Sequence, residues 1–269
     1  MVRVDASGNA ATVAAHLSNP RLLPYACHNP PFATHLPQSA VRGTPPHQTS
    51  PDNHRSPGKP ATAIPQSENV QNDEQILVIP SKVIESIGTI DGFEPDVDRF
   101  LQPILQSPEL SFQPRSVMES DPSFKQLIPY VVMQYNASDG PRLFRYSRGG
   151  GGGETRLHAK FSIGIGGHVS AEDAEGPGDV YQTGMQREID EEVTIGTTYA
   201  TERLGLIYDN TTEVGRVHLG VVHRFLLDAP EITSNEADLA DGRFVDLREL
   251  NAGKDRLETW SQLVLDHVL

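Results

Sequence analysis

The chain is poor in cysteine and in long apolar runs. Cys27 is its only cysteine, so neither an intrachain disulfide nor a cysteine-based zinc site can form, which fits a reducing compartment. No apolar run approaches the roughly 18 residues needed to cross a bilayer. The N-terminus also lacks the apolar segment of a secretory signal. We therefore expect a soluble, cytoplasmic protein without a membrane partner.

Basic charge is also scarce. The 22 Lys and Arg residues stand against 36 Asp and Glu residues, which gives a net charge of −14. This balance argues against a general binder of nucleic acids or anionic membranes, since such partners need a basic surface. We expect no stable nucleic-acid complex. A nucleotide substrate is not excluded, because metal ions can turn an acidic pocket into a phosphate site.

The first 74 residues differ from the rest of the chain. They hold 11 of the 21 prolines and five of the ten histidines, and their apolar residues follow neither a helical nor a strand period. Such a segment buries too little surface to fold. We predict a disordered Pro-rich extension over residues 1–74 and a folded domain over residues 75–269. Alternatively, the true start lies downstream and the extension is mis-assigned.

Short apolar runs after residue 74 predict more strands than helices. The expected strands are ILVIP, LIPYVVMQY, RLFRYSR, KFSIGI, TERLGLIYD, VGRVHLGVVHRFLLD and GRFVDL. The turns ASDGP and NTTE join two hairpins. A short helix is expected around Phe93, Phe100 and Leu101, and LETWSQLVLDHVL predicts a closing helix. This mixed order is typical of an α+β sandwich.

One predicted helix carries an unusual cluster of like charges. Residues 187–195 read REIDEEVTI, and four of the first six are acidic. Breakers at residues 176–178 and Asp179 as the N-cap predict a helix that runs to Val193. At about 100° per residue, an apolar strip forms on one side and three carboxylates share an arc beside it. The strip is Tyr181, Met185, Ile189 and Val193, and the carboxylates are Glu188, Glu191 and Glu192.

The three carboxylates have two interpretations. On an exposed helix they form an acidic, solvated face with one surface ion pair, at a cost of roughly a few tenths of a kcal/mol for Glu188 and Glu192, which lie four residues apart. The arrangement becomes favourable if Mg²⁺ or Mn²⁺ binds between the carboxylates, because carboxylate oxygens are the ligands these ions prefer. Arg187 can neutralise one acid through a forked contact. The hexamer alone favours the solvated face.

The surroundings of the helix favour the second interpretation. A strand ending in GIGGH, a loop, the acidic helix and a hairpin follow in that order, which resembles the Nudix hydrolases. The box of that family reads Gly, five residues, Glu, seven residues, then Arg-Glu-aliphatic-x-Glu-Glu-x-Gly-aliphatic, and residues 187–195 match its core. The segments KQLIPYVV, RLHAKFSIGIGGHVSAEDA and VGRVHLGVV also look like an uncharacterised bacterial group of this family labelled predicted phosphoesterase.

The resemblance covers residues 75–269 and implies a Nudix-like α/β/α sandwich with a mixed central sheet. Three departures from the box stand out. Thr194 replaces a Gly, so we expect the turn after the helix to be made differently, with Gly196. Asp179 stands where the first Glu is expected. The interval from Gly167 to Arg187 is about six residues too long, and we place the insertion in SAEDAEGPG.

The resemblance also implies a chemistry. A Mg²⁺- or Mn²⁺-dependent hydrolase would cleave a pyrophosphate bond in a nucleoside diphosphate linked to another moiety, or in a similar phosphorylated metabolite. Glu188 and Glu192 would be the principal metal ligands and Glu191 a further ligand or proton acceptor, while Arg187 would orient a carboxylate. Such a reaction needs neutralised phosphate charge and an activated water, which metal ions provide.

The resemblance also suggests residues around the substrate. Gly166 and Gly167 would contact it through their backbone. Arg148 and Lys160 either meet its phosphates or are solvated charges. Glu236 is a candidate general base or an exposed loop acid.

Other features leave alternatives open. His168 either touches substrate or makes a structural hydrogen bond, and His218 fits a packed strand position. Residues 75–125 either cap the pocket or form a homodimer surface. Two other functions remain: a non-catalytic Nudix-fold module for ligand binding or regulation, and a phosphomonoesterase, which would release only inorganic phosphate.

Overall fold

The computed structural model describes residues 73–148, 160–236 and 239–269. The predicted extension lies almost entirely outside these residues, so its disorder and the boundary at residue 74 stay predictions. Within the described residues, no helix is long and apolar enough to span a membrane.

The domain is built on a ten-stranded mixed sheet and a separate two-stranded one. The strands are β1 (Gln75–Pro80), β2 (Gly92–Glu94), β3 (Ser111–Pro114), β4 (Phe124–Ala137), β5 (Gly140–Arg148), β6 (Phe161–Ser162), β7 (Gly164–Gly166), β8 (Val193–Ile195), β9 (Tyr199–Tyr208), β10 (His218–Leu227), β11 (Ile232–Ser234) and β12 (Leu239–Asp246). The helices are α1 (Ser81–Ile87), α2 (Val97–Leu105), α3 (Arg115–Met118), α4 (Val180–Glu192), α5 (Leu247–Ala252) and α6 (Thr259–His267).

The sheet explains why its two longest apolar runs look alike. Its main path is β12-β5-β4-β10-β9-β2, so β4 and β10 lie at its centre and are buried along most of their length. They pair in parallel, with Leu219 opposite Leu127, whereas the other described pairs are antiparallel. Strands covered on both faces need continuous apolar sequence. The predicted α+β fold with a mixed sheet is confirmed.

The acidic helix α4 is positioned by its apolar strip. The strip residues Tyr181, Met185, Ile189 and Val193 are all at most 5% exposed, as the helical period predicts. Met185, Ile189 and Val193 pack in one core cluster with residues of β4, β5 and β10. Beside this strip, Glu188 and Glu192 are half-buried, whereas Glu191 is exposed.

Three local predictions need correction. KFSIGI is two short strands, because the chain changes partner at Ile163: β6 pairs with β5 and β7 pairs with β4. The strand expected from Val214 begins at His218, since residues 215–217 form a 3-10 turn. Phe93 belongs to β2 and not to helix α2, although Phe100 and Leu101 are buried in that helix as expected.

The two ends of α4 are made by different means. Asp179 is the N-cap, because its carboxylate accepts the backbone N–H of Gln182 at 2.9 Å. At the other end the backbone becomes extended directly at Val193 and continues into β8. Gly196 makes no turn there, which corrects that expectation. The last carbonyls are instead capped by Asn235, whose N–H and Nδ2 donate to the oxygens of Glu192 and Asp190 at 2.9 Å each.

Candidate active site

A cavity of about 780 Å³ opens beside Glu188, in the C-terminal half of α4, and beside Gly166 and Gly167 at the end of β7. The segment before β4, the connection between β9 and β10, and the start of α6 complete its wall. Residues 75–125 therefore contribute to the pocket, one of the two roles considered for them. The charged wall residues are Glu74, Arg115, Glu119, Lys160, Glu188, Glu213 and Glu258. Five acids and two bases make this an acidic pocket that favours cations.

Glu188 joins α4 to the Gly-Gly segment. Its side chain is 17% exposed and lies directly against Gly167, where an added Cβ atom would come within 1.9 Å of Oε2. Only glycine leaves room for this contact. Burial raises the pKa of the Glu188 carboxyl, while the hydrogen bond and charge of Arg187 oppose that rise. The result is a partly desolvated carboxylate on the wall of an acidic cavity.

Replacing Gly167 with Ala should displace this carboxylate. Because the new methyl would overlap Oε2 of Glu188, we expect at least a roughly tenfold loss of kcat/KM with little change in the free energy of unfolding. Gly176 is the matched control, since no atom lies within 4 Å of a Cβ built there. Steady-state kinetics of both variants check the prediction, and equal activities would contradict it.

Arg187 is fixed by an acid that the sequence did not single out. Its Nε and Nη2 donate to the two carboxylate oxygens of Asp173 at 2.8 and 3.0 Å, and Nη2 also donates to the carbonyl of His168 at 2.9 Å. Nη1 donates to Glu188 at 2.8 Å and to Glu191 at 3.2 Å. The hydrogen bonds that Arg187 donates to Asp173 come first among the causes that raise the pKa of Arg187. Arg187 therefore makes its forked, two-bond contact with Asp173, and donates only a single hydrogen bond to Glu188.

Asp173 also narrows the placement of the insertion within SAEDAEGPG. Counted forward from Gly167, the spacing of five residues ends at Asp173, whereas counting back from Arg187 ends at the N-cap Asp179. The extra residues therefore follow Asp173. Although burial opposes its ionisation, the bonds from Arg187 and from the Ser170 N–H lower the pKa of Asp173.

The other predicted residues have different surroundings. Gly166, Gly167 and Lys160 lie on the cavity wall with Glu188. Glu191 is 52% exposed and linked to Glu188 through Arg187, while Glu192 is half-buried; neither lines the cavity. Exposed Glu236 follows the helix cap Asn235 and also lies off the wall. Arg148 ends β5, but its side chain is outside the described part of the structure.

A buried carboxylate at the start of α6 is a second acid that the sequence did not single out, and it lies on the cavity wall. Glu258 is 8% exposed and its Oε1 accepts the hydroxyls of Tyr130 at 2.8 Å, Ser162 at 2.5 Å and Ser261 at 3.2 Å. Tyr130 and Ser162 lie 96 or more residues from Glu258 in the sequence, so no local motif predicts this group of side chains. The network anchors α6 to β4 and β6.

His168 should make stability depend on pH. Burial, with nearby Arg115, His218 and Arg187, lowers the pKa of His168 to about 3. Below about pH 6.5 the unfolded chain binds a proton that the folded chain does not, so stability falls as pH drops toward 3, by up to about 1.4 kcal/mol per unit. His168→Gln should reduce the loss between about pH 7 and about pH 5 by up to about 2 kcal/mol. Urea unfolding at both pH values checks this, and parallel losses in the two proteins would contradict it.

Comparisons with known proteins agree with this geometry. The chain is 37% identical over 205 residues to the Bacillus subtilis protein YmaB, covering 72% of this chain and 97% of that protein. It is 33% identical to Tm1382, whose crystal structure is assigned to the Nudix hydrolases, with a TM-score of 0.59 over 72% of this chain and 97% of the other. No family model matches the chain.

The sheet, the carboxylate helix and the Gly-Gly contact define a hydrolase of the pyrophosphate-cleaving class. The chain belongs to the Nudix hydrolase family, as the likeness to Tm1382 shows. The resemblance to this family is thereby confirmed.

Proposed function

We propose that the chain is a hydrolase dependent on Mg²⁺ or Mn²⁺ that cleaves a pyrophosphate bond in a nucleoside diphosphate linked to another moiety, or in a similar phosphorylated metabolite. The observation that carries this is Glu188, a partly buried carboxylate set against Gly167 on the wall of an acidic cavity. A buried acid among other acids gains most from a bound cation.

The donors fit a hard dication. Glu188, Glu191 and Glu192 offer carboxylate oxygens only, the ligand type that Mg²⁺ and Mn²⁺ prefer. When bound, the ion would neutralise phosphate oxygens and make a coordinated water more nucleophilic. Arg187 holds Glu188 and Glu191 through one nitrogen while Asp173 fixes its other two, so the carboxylates are oriented before any ligand arrives.

Other wall residues would hold the substrate. The backbone at Gly166 and Gly167 lies open to the cavity, and Lys160 and Arg115 are its two bases, suited to phosphate groups. The half-buried Trp260 provides an apolar surface for a flat ring such as a nucleobase. Glu236, in the loop after β11, stays a candidate general base.

A product assay tests the proposal. The chain is incubated with nucleotide sugars, dinucleoside polyphosphates, NADH, ADP-ribose and nucleoside triphosphates, with Mg²⁺ or with a chelator. We expect cleavage between two phosphates that the chelator abolishes. Release of inorganic phosphate alone from a monoester would indicate a phosphomonoesterase. Binding of a compound without turnover would indicate a regulatory module.

A further inference from the structure

Two histidines on the cavity wall have no role in the proposed hydrolysis. His168 follows the Gly-Gly segment and His218 begins β10, and their ring centroids are 5.7 Å apart. Glu119, at the end of α3, lies beside them. One ligand atom from each of these three side chains lies within 4.8 Å of the other two.

Hydrogen bonds fix both imidazole rings. Nδ1 of His218 donates to the carbonyl of Val214, and Nε2 of His168 donates to Oε1 of the buried Gln126, each at 2.7 Å. Each ring therefore keeps its other nitrogen as a lone pair. Metal-binding histidines usually have this arrangement, because the outer hydrogen bond sets the tautomer and the ring orientation.

We propose that Glu119, His168 and His218 bind a transition-metal dication of the Zn²⁺ or Co²⁺ type, at a site separate from the carboxylates of α4. Two imidazoles and one carboxylate suit these ions, whereas Mg²⁺ prefers oxygen ligands alone. All three residues line the cavity, so a phosphate or carboxylate group of a ligand in the cavity could complete the coordination.

The surrounding charges allow a cation here. Arg115 is already paired: its Nε lies 3.1 Å from Glu119 and its Nη1 lies 2.9 Å from Glu74. Arg187, which donates to the carbonyl of His168, is paired with Asp173. Burial also lowers the pKa of both His168 and His218, which favours the neutral imidazole that binds a metal ion.

Small movements close the site. Bonds of roughly 2 Å place the ligand atoms of one ion within roughly 3–4 Å of each other. The side chain of Glu119 is 42% exposed, so it can move by the roughly 1 Å that separates the present spacing of the ligand atoms from the spacing around a bound ion. The two rings stay in place. A carboxylate on the surface and two fixed imidazoles thus form a site that is largely preformed.

The experiment is a Co²⁺ titration of the full chain with excess Mg²⁺ present to fill the oxygen sites, followed by calorimetry and by the visible absorption of Co²⁺. We expect one Co²⁺ per chain at this site. His168→Ala and His218→Ala should each weaken binding at least about 100-fold, more than loss of an outer hydrogen-bond partner does, and Glu119→Gln about tenfold. The control His267→Ala, at an exposed position of α6, should leave binding unchanged.

Several outcomes would overturn the site. Wild-type chain that binds no Co²⁺ contradicts it, as does unchanged affinity in His168→Ala and Glu119→Gln. If circular dichroism shows that His218→Ala is unfolded, the Co²⁺ affinity of Glu119→Gln, a change at an exposed side chain, decides whether the site exists. The site does not depend on the proposed hydrolysis, because Co²⁺ binding is measured without substrate and phosphate release is measured with Mg²⁺ alone.

Discussion

Replacing Glu188 with Gln is expected to lower kcat/KM about 10³-fold. The amide keeps the volume of the side chain and one oxygen for Arg187, but it removes the charge that holds a cation at the cavity wall. Metal ions contribute several kcal/mol to such reactions, and about 4 kcal/mol corresponds to about 10³-fold. Steady-state kinetics with excess Mg²⁺ provide the measurement.

The control for this variant lies on the same helix. Asp190→Asn removes the same charge at the same volume, but Asp190 is exposed, and among the described residues its carboxylate accepts a side-chain hydrogen bond only from Gln186. We expect less than about a threefold change in kcat/KM. If Glu188→Gln were as active as Asp190→Asn, Glu188 would have no part in the reaction.

The second large effect concerns the hidden partner of Arg187. Asp173→Asn should lower the free energy of unfolding by about 2–3 kcal/mol, since breaking a buried ion pair costs about 3–5 kcal/mol and Arg187, at 30% exposed, recovers some solvation. The amide can accept only at its one oxygen, and its nitrogen faces the guanidinium. We also expect kcat/KM to fall about tenfold, because Arg187 then no longer orients Glu188 and Glu191.

Urea denaturation of Asp173→Asn measures the first effect and kinetics the second. Glu172→Gln is the matched control, since Glu172 lies in the same 3-10 turn but is exposed. A change below about 0.5 kcal/mol in Asp173→Asn, equal to that of the control, would show that the fork on Arg187 contributes nothing to stability.

Local patterns predicted the parts of the fold that depend on neighbouring residues. The apolar strip of α4 and the N-cap Asp179 follow from spacing within one helix, and both are found as expected. The two central strands were visible because burial on both faces requires continuous apolar sequence. The end of α4 near Val193 was also predicted, but the turn expected at Gly196 was wrong, because the cap Asn235 comes from a loop 45 residues beyond Asp190.

Only those residues of the candidate site that belong to the family box could be predicted from the sequence. Glu188 and Gly167 could be identified, since each lies in a motif of fixed spacing. Asp173 was missed because the insertion makes the spacing ambiguous, although counting forward from Gly167 finds it. The wall residues Glu119, Glu258 and Trp260 come from elements before and after the box, and no periodic pattern connects such distant positions.

The central claim is that the glutamates of α4 bind magnesium, and a calorimetric titration tests it most directly. Mg²⁺ is added to the wild-type chain and to a double variant, Glu188→Gln with Glu192→Gln, both confirmed as folded. The account predicts Mg²⁺ binding to the wild type that is lost in the double variant and kept in Asp190→Asn. Equal binding by wild type and double variant, or none by either, would contradict it.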